Sequence, residues 1–305
     1  MTKVVVVGSL NMDLVVQVPH FPIPGETLLG GEYNQHPGGK GANQAVAAAR
    51  AGGNVTMIGR VGQDGFGEVL KKQLEADGIN TTQLEALADS PTGVAFITVD
   101  NSAQNCIIVS SGANMKLMPD DLPADVIQAA DVLVLQLEVP LQTVFHAAQL
   151  AQQAGTKVIL NLAPAQALKP EQVRHVDVLV VNESEAALLA GEDVANVSLN
   201  PETTAKALAE QVPTVILTLG AAGVVWCHDK TVHRFPSFKV EAVDTTAAGD
   251  AFVGALAASY DDTTSLAEAV RVASATGALA VTRAGAQPSL PSRKEIDAFL
   301  AEQPQ

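Results

Sequence analysis

The chain contains few basic residues. Its 305 residues include 18 Lys and Arg against 33 Asp and Glu, which gives a formal net charge of −15. Surfaces that follow nucleic-acid phosphates or anionic lipids need clustered Lys and Arg. No such cluster is present, and the stretches 4–39, 73–115 and 117–156 hold no Lys or Arg. The composition therefore excludes nucleic acid and membrane surfaces as partners. A bound anion must be met by backbone amides, a metal ion or isolated cations.

Cysteines and long apolar segments are also scarce. The two cysteines, Cys106 and Cys227, are too few for a disulfide scaffold or a thiolate zinc site, and we expect both to be small core residues. No uninterrupted apolar run reaches the ~18 residues of a membrane helix, and no signal-peptide pattern is found. The 6 histidines show no metal-ligand spacing. These absences predict a cytoplasmic protein.

Apolar residues are plentiful, at 47% of the chain, and they are patterned. Short β-branched runs alternate with helical patterns, as expected for parallel strands covered on both faces. The predicted strands are 4–7, 55–59, 132–135, 157–160, 178–181 and 214–219. The predicted helices are 42–51, 66–77, 141–154, 184–190, 203–211, 249–259, 266–282 and 293–301. The fold class is α/β, with a doubly wound, mostly parallel sheet and helices on both faces.

Two stretches interrupt this alternation. The segments 14–18 and 32–36, and likewise 93–99 and 105–109, have the pattern of hairpin strands joined by turn-rich segments. Such strands fit poorly into a fully covered parallel sheet. We expect residues 1–305 to form a single domain, from which a small antiparallel β lid of about residues 14–37 and 92–112 projects over the carboxyl ends of the strands.

A glycine-rich segment, GGKGANQA at 38–45, enters an alanine-rich helix. Glycines allow close backbone approach to a ligand and free the first amides of a helix, while Lys40 and Asn43 add directed donors. The alternative is an ordinary glycine turn before a helix. The spacing is not that of a Walker P-loop, and Gly8-Ser9-Leu10 after the first strand lacks the dinucleotide fingerprint, which disfavours a Rossmann oxidoreductase.

A second segment, DTTAAGD at 244–250, opens the predicted helix at 249–259. Small residues at a helix start present unpaired amides to an anion, and Asp250 there could act as a general base or lie beside a metal. The alternative is that an aspartate only caps the helix. Five further polar residues follow predicted strands, at the edge where a doubly wound sheet has its binding crevice: Asn11, Asp13, Glu138, Asn182 and Glu185. The last two also fit a helix cap.

These residues resemble the PfkB carbohydrate kinase family, and the resemblance extends over 5–299. The segment 38–45 resembles the N-terminal signature of the family, and 244–250 with Gly254 and Ala255 resembles the C-terminal one. Counterparts of the family's N-x-x-E element, nucleotide loop and C-terminal segment are 182–185, 218–223 and 280–289. The resemblance implies a ribokinase-like α/β fold.

Position by position, the resemblance also implies roles for individual residues. The implied sugar-binding residues are Asn11, Asp13, Gly39, Lys40, Asn43, Glu138 and Asp250. Asp250 would be the base, and amides of Ala247, Ala248 and Gly249 would stabilise the transferring phosphoryl group. The implied nucleotide and magnesium residues are Asn182, Glu185, Thr218, Gly220, Gly223, Gly249 and Ser274. The loops implied to hold a monovalent cation contain Asp244, Thr246, Ala280, Arg283, Gly285 and Ser289.

The implied reaction is transfer of a phosphoryl group from MgATP to O5 of D-ribose, with K⁺ as activator. Two alternatives remain open: a kinase of the same family for deoxyribose, a ketohexose or a nucleoside, and a catalytically silent sugar-binding regulator. The resemblance and the apolar lid residues further imply a homodimer joined through the lids, because bare apolar surface is costly in water. Those residues are Leu14, Val16, Phe21, Leu28 and Leu29.

Overall fold

The computed structural model describes residues 1–102, 104–260 and 264–303. Its strands are β1 (Lys3–Val7), β2 (Asn11–Gln17), β3 (Tyr33–Gly38), β4 (Asn54–Gly62), β5 (Asn80–Leu87), β6 (Gly93–Val99), β7 (Asn105–Ser110), β8 (Val132–Leu135), β9 (Lys157–Asn161), β10 (Val178–Asn182), β11 (Thr214–Thr218), β12 (Val224–His228) and β13 (Thr231–Phe235). Its helices are α1 (Lys40–Arg50), α2 (Gly65–Ala76), α3 (Ala124–Gln128), α4 (Leu141–Ala154), α5 (Pro170–Val173), α6 (Glu183–Ala190), α7 (Val194–Leu199), α8 (Pro201–Leu208), α9 (Ala248–Ser259), α10 (Leu266–Ala280) and α11 (Arg293–Glu302). Short 3₁₀ turns lie at Gly112–Lys116, Pro119–Asp121, Gly220–Ala222 and Gln287–Ser289.

The main sheet has nine strands in the order β13-β12-β11-β10-β9-β8-β1-β4-β5. Its pairs from β11 to β5 are parallel, and β12 and β13 add an antiparallel edge. Val4 and Val6 of β1 pack in one apolar layer with α1, α9 and α10, whereas Val5 and Val7 pack in the other with α4. Burial of both faces explains the continuous apolar runs, and the doubly wound prediction is confirmed.

The lid is a separate four-stranded sheet in the order β3-β2-β6-β7. Its outer pairs, β2 with β3 and β6 with β7, are antiparallel as predicted. The central strands β2 and β6 run parallel. The reason is continuity: β2 follows β1 and β6 follows β5, and these two main-sheet strands point the same way. Both chain segments therefore leave the main sheet at the carboxyl ends of its strands and run in the same direction.

The cysteines differ in environment. Cys227 on β12 is buried, but Cys106 on β7 is exposed, so the prediction that both are core residues is wrong for Cys106. It lies on an edge strand of the lid whose side chains are exposed on both faces. Among the described residues, no helix is both long enough and apolar enough to cross a bilayer.

Candidate active site

A cleft lies at the carboxyl ends of the main-sheet strands, where ligands bind in open α/β sheets. Its walls come from elements far apart in sequence: Lys40 of α1, Asn161 of β9, Asn182 and Thr218 at the ends of β10 and β11, and Asp250 of α9. The two glycine-containing segments singled out in the sequence therefore meet at one site. Their shared position favours the ligand-binding interpretation over that of ordinary turns.

Close packing of α1 against α9 places the central side chains. A Cβ at Gly254 would lie 2.5 Å from both the Ala47 Cβ and the Gln44 carbonyl oxygen, so only glycine permits this approach. The approach lets Asn43 donate from Nδ2 to Asp250 Oδ2 at 3.0 Å and Gln44 donate from Nε2 to Asp250 Oδ1 at 2.9 Å. Each carboxylate oxygen of Asp250 thus has an amide donor.

Charge around Asp250 is concentrated and buried. Burial raises the pKa of Asp250, Glu138 adds to the rise, and Lys40 with the two amide donors opposes it. Burial alone would lower the pKa of Lys40, but the surrounding carboxylates, with Asp250 foremost, leave it above its ordinary value. The site therefore combines a charged lysine with a carboxylate of raised proton affinity, which suits a general base.

The backbone at the start of α9 bears on the predicted anion site. Ala247 adopts a left-handed conformation with φ +59°, unusual for a residue with a Cβ, and a Cβ at Gly249 would meet nothing within 4 Å. The first amides of a helix have no acceptor inside the helix. The Ala248 amide nevertheless donates to the Thr245 carbonyl oxygen at 3.2 Å. Ala247 and Gly249 are therefore better donor candidates than Ala248.

Glu138 is fixed at the side of the site next to the lid. Ser9 donates a short hydrogen bond from Oγ to Glu138 Oε2, and the Lys40 amide donates to the same oxygen at 3.0 Å. Gly39 adopts φ +88°, and a Cβ there would lie 2.7 Å from the Asn11 amide nitrogen. Glu138, Lys40 and Asn11 are thus held by short-range backbone geometry that a non-glycine residue at position 39 would disturb.

Asn11 is oriented by Asn114, a residue that the sequence analysis missed. Asn114 is buried and donates from Nδ2 to Asn11 Oδ1 at 2.8 Å and to the Leu10 carbonyl oxygen at 3.0 Å, while its Oδ1 accepts from the Leu10 amide at 2.9 Å. These bonds join the segment that enters the lid at β2 to the segment that leaves it after β7. The only sequence signal is a polar residue in the turn after a lid strand.

Asn182 and Glu185 make a reciprocal cap at the start of α6. The Glu185 amide donates to Asn182 Oδ1 at 2.9 Å, and the Asn182 amide donates to Glu185 Oε2 at 2.8 Å. The capping interpretation of this pair is thus confirmed, and both residues also line the cleft. Burial raises the pKa of Glu185, with Lys40 opposing that effect.

The implied nucleotide loop has glycines where the backbone demands them. Gly220 and Gly223 adopt φ +51° and +96°, and a Cβ at Gly223 would lie 2.2 Å from the Phe235 carbonyl oxygen. Thr218 lines the cleft. Ser274 on α10 does not line it, but its buried hydroxyl finds no hydrogen-bond partner in the described part of the chain.

The two loops implied for a monovalent cation are tied together by Asp244. Its carboxylate accepts from the Thr246 amide at 2.9 Å and the Gly285 amide at 2.8 Å. Burial works to raise the pKa of Asp244, but these bonds and one from the Thr246 hydroxyl hold it below its usual value. Arg283 donates to Glu295 Oε1 at 2.7 Å, so its guanidinium is directed toward α11. No described cluster of three His, Cys, Asp or Glu could hold a metal.

The main residues missed by the sequence analysis are polar side chains that hold the predicted ones in place. Gln44 donates hydrogen bonds to Asp250 and Asn161. Ser9 donates one to Glu138, and Asn114 donates one to Asn11. Gln44 offered one signal, since it is a polar residue within the apolar, alanine-rich start of α1. The others look like ordinary turn or strand-end residues until the fold is known.

Asp13 makes stability depend on pH. Burial and the charges of Glu138 and Asp250 raise its pKa from 3.8 to about 7, with Lys40 opposing. The folded state then binds more protons than the unfolded state between about pH 4 and pH 7, so the free energy of unfolding falls as pH rises through that range. We expect the Tm to fall from pH 5 to pH 8 and the fall to be smaller in Asp13→Asn.

Thermal unfolding across this pH range, without ligands, measures the effect. The control is Asp120→Asn, at an exposed position. Identical pH slopes for wild type and Asp13→Asn would contradict the assignment. Asp250 and Glu185 also have raised pKa values, so part of the slope should remain in the variant.

Comparisons with known proteins show which family the chain belongs to. A family model described as pfkB family carbohydrate kinase matches residues 1–293. The ribokinase of Haemophilus influenzae is 42% identical over 97% of this chain and 97% of its own length. A ribokinase structure from Thermotoga maritima has a TM-score of 0.90 and 38% identity, and covers 99% of this chain and 100% of that chain. The Arabidopsis thaliana ribokinase complexed with ribose and ATP has a TM-score of 0.89 and 30% identity, over 99% of both chains. This chain, with its ribokinase-like α/β fold, therefore belongs to the pfkB family of carbohydrate kinases.

Proposed function

We propose that this protein phosphorylates O5 of D-ribose with MgATP and releases D-ribose 5-phosphate and ADP. The observation that carries the proposal is the position of Asp250. Its carboxylate stands at the start of α9 and lines the cleft, while Asn43 joins it to the glycine-rich segment that also holds Glu138. Asp250 would thus lie between the bound nucleotide and the bound sugar. Similarity to a ribokinase complexed with ribose and ATP supports ribose as the acceptor.

The chemical step is a proton transfer coupled to phosphoryl transfer. Asp250 takes the proton of the ribose O5 hydroxyl as the bond between O5 and the γ-phosphorus forms. The bond between that phosphorus and the bridging oxygen breaks, and its electron pair leaves with ADP. The raised pKa of Asp250 strengthens it as a base near neutral pH, where a carboxylate of ordinary pKa would be a weak one.

Negative charge on the transferring group is met by Lys40 and by the start of α9. A lysine held charged by neighbouring carboxylates and amides at a helix N-terminus stabilise developing charge without reorganising. This arrangement explains how a chain with a net charge of −15 can handle ATP: the positive potential is local.

Magnesium fits the residues on the nucleotide side. Mg²⁺ usually takes one or two carboxylates together with waters and substrate phosphates, and the buried Glu185 beside Asn182 offers this donor set at the cleft. Glu185 and Asn182 would hold the ion, with ordered water between. When bound, it neutralises charge on the phosphates.

For the monovalent cation, we propose K⁺ in the loops containing Asp244 and Gly285. The side chains of Asp244, Arg283 and Ser289 already have protein partners, so most ligands would be backbone carbonyl oxygens. Carbonyl oxygens suit a large monovalent ion such as K⁺. An ion there would stabilise the loop that leads into α9. Because the reaction consumes ATP, we also propose that the enzyme works in the cytoplasm.

A substrate panel with and without K⁺ tests the proposal. ADP release would be measured with ribose, 2-deoxyribose, fructose and adenosine in K⁺, Na⁺ or choline buffers. We expect the highest kcat/KM with ribose and higher activity in K⁺. A clear preference for another acceptor would favour the alternative kinase, ribose binding without ADP release would favour the silent regulator, and indifference to K⁺ would contradict the cation site.

We propose that the active form is a homodimer joined through the lids. Of the five apolar lid residues predicted to be bare, only Leu29 is exposed, whereas Leu14, Val16, Phe21 and Leu28 are half-buried because they pack against neighbouring segments. Other large apolar side chains of the lid are exposed beside Leu29 (90%), including Ile108 by 67%, Tyr33 by 60% and Phe96 by 51%. Phe96 and Ile108 are directly opposed on β6 and β7 and share one face of the sheet. Covering such side chains is favourable by roughly 1.5–3 kcal/mol each. The lid of each subunit would also exclude water from its sugar site.

Light scattering at micromolar protein concentration measures the mass of the protein in solution and so tests this prediction. We expect the mass of a dimer for wild type and of a monomer for Ile108→Glu. The control is Leu199→Glu at an exposed leucine on α7, outside the lid, which should remain dimeric. A monomeric wild type would contradict the proposed dimer.

A further inference from the structure

Helix α1 carries a second amide beside Asn43, and it reaches Asp250 from within the core. Gln44 is fully buried. Its Nε2 donates to Asp250 Oδ1 at 2.9 Å and to Asn161 Oδ1 at 3.0 Å, and its Oε1 accepts from Gln136 Nε2 at 2.7 Å. Both hydrogens and the oxygen of this amide are therefore used.

The bond from Gln136 decides which way the Gln44 amide faces. With Oε1 bound to a donor, the NH₂ group must face the two oxygens of Asp250 and Asn161. The flipped amide would set oxygen against oxygen at both contacts and nitrogen against the Gln136 donor. Asn161 is itself anchored, because its Nδ2 donates to the Val180 carbonyl oxygen at 3.3 Å. A chain of amides thus ties Asp250 to the ends of β8 and β9 and, through Val180, to the middle of β10.

This chain acts on a carboxylate that burial disfavours in its charged form. The charged groups that act on Asp250 are Lys40, which favours ionisation, and Glu138, which opposes it. Asp13 and Glu185 add to the local negative charge. Both oxygens of Asp250 accept a hydrogen bond, Oδ2 from Asn43 and Oδ1 from Gln44, and these bonds favour the charged form. Asn43 lies on the proposed sugar side, so a bound sugar can compete for it, whereas nothing from the cleft can displace the buried Gln44.

We infer that Gln44 is a positioning residue for phosphoryl transfer, because its amide keeps the Asp250 carboxylate ionised and in a fixed orientation while the substrate occupies the other side. The inference rests on the proposed role of Asp250 as base. Gln44 would then have a functional role although it does not contact the substrate, and packing alone would not require its amide.

The test is the pH profile of kcat for Gln44→Met, which preserves the length of the side chain and removes the donor. Hydrogen bonds to charged groups are strong enough to move a titration by about one to two pH units. We expect the acidic limb of the profile to move up by this amount, kcat at a pH on the acidic limb of the wild type to fall about tenfold or more, and activity to recover at higher pH. The KM for ATP should not change.

The control is Thr143→Val on the opposite layer of the sheet, which removes an equally buried hydrogen bond from Thr143 Oγ1 to the Leu117 carbonyl oxygen. It should lower the Tm without moving the acidic limb. If Gln44→Met does not fold, Gln44→Met/Gln136→Met replaces it, since removing both partners leaves fewer unpaired buried groups. An unmoved limb in an active variant would overturn the inference. A wild type that releases no ADP with ribose would instead overturn the proposed function.

Discussion

We expect Asp250→Ala to lower kcat by at least about 10²-fold, the lower range for the loss of a general base, while leaving ATP binding nearly unchanged. The reason is that this carboxylate is the one acidic side chain that accepts hydrogen bonds from α1 and also lines the cleft, within the described residues. Without it the ribose hydroxyl has no acceptor for its proton. Lys40 and the α9 amides, which we propose contact the phosphates, remain in place.

The measurement combines steady-state kinetics with calorimetric titration of a nonhydrolysable ATP analogue. Asp250→Asn is the matched variant, because it keeps the shape of the side chain but cannot take the proton, and it should lose about as much activity as Asp250→Ala. Near wild-type turnover in either folded variant would show that another group is the base. Loss of nucleotide binding together with activity would indicate collapse of the start of α9.

The second large effect is expected from Gly254→Ala, which changes no polar group. The added Cβ would lie 2.5 Å from Ala47 Cβ and 2.7 Å from the Ala48 amide nitrogen, and α9 must then move away from α1 by roughly an ångström to restore ordinary contact. Overpacking of this kind costs about 1–3 kcal/mol of stability. A misplacement of this size can lower a rate by about 10²-fold, because Asp250 would leave the reach of Asn43 and Gln44.

Gly277→Ala on α10 is the control, since its nearest new contact is 3.4 Å from the Ala248 carbonyl oxygen. Alanine inside a helix is favoured over glycine by about 1 kcal/mol, so the Tm of this variant should stay equal or rise. Thermal unfolding and kcat would be measured for both. If Gly254→Ala kept wild-type kcat and Tm, the contact between α1 and α9 would not set the geometry of the base.

The central strands were predictable because each is buried on both faces and reads as a continuous apolar run. The edge strands β5 and β13 escaped prediction because most of their side chains are exposed or half-buried, and β12 went unrecognised although it is largely buried. The parallel pairing of β2 with β6 depends on where β1 and β5 end in the main sheet, and local pattern carries no information about that. Exposure of Cys106 has the same origin, since it depends on β7 being the last strand of the lid.

The candidate site was predictable as a set of motifs but not as a set of contacts. Asn43 and Asp250 are 207 positions apart, and the sequence alone indicates only that each lies in a ligand-binding pattern. Gln44 is marked in the sequence only as a polar residue in an alanine-rich helix, because its contacts are with Gln136 and Asn161, which lie at the ends of other strands. The contacts of supporting residues follow from the fold, whereas the roles predicted for substrate-facing residues came from motif chemistry and the family resemblance.

The central claim is that the protein transfers the γ-phosphoryl group of ATP to O5 of ribose. The most direct test is the ³¹P spectrum of the product formed by the wild-type protein from MgATP and D-ribose in K⁺ buffer. We expect equal amounts of ADP and of a phosphomonoester whose phosphorus couples to two methylene protons, as only O5 phosphorylation gives. A phosphomonoester coupled to a single proton, or ADP without any sugar phosphate, would contradict the account.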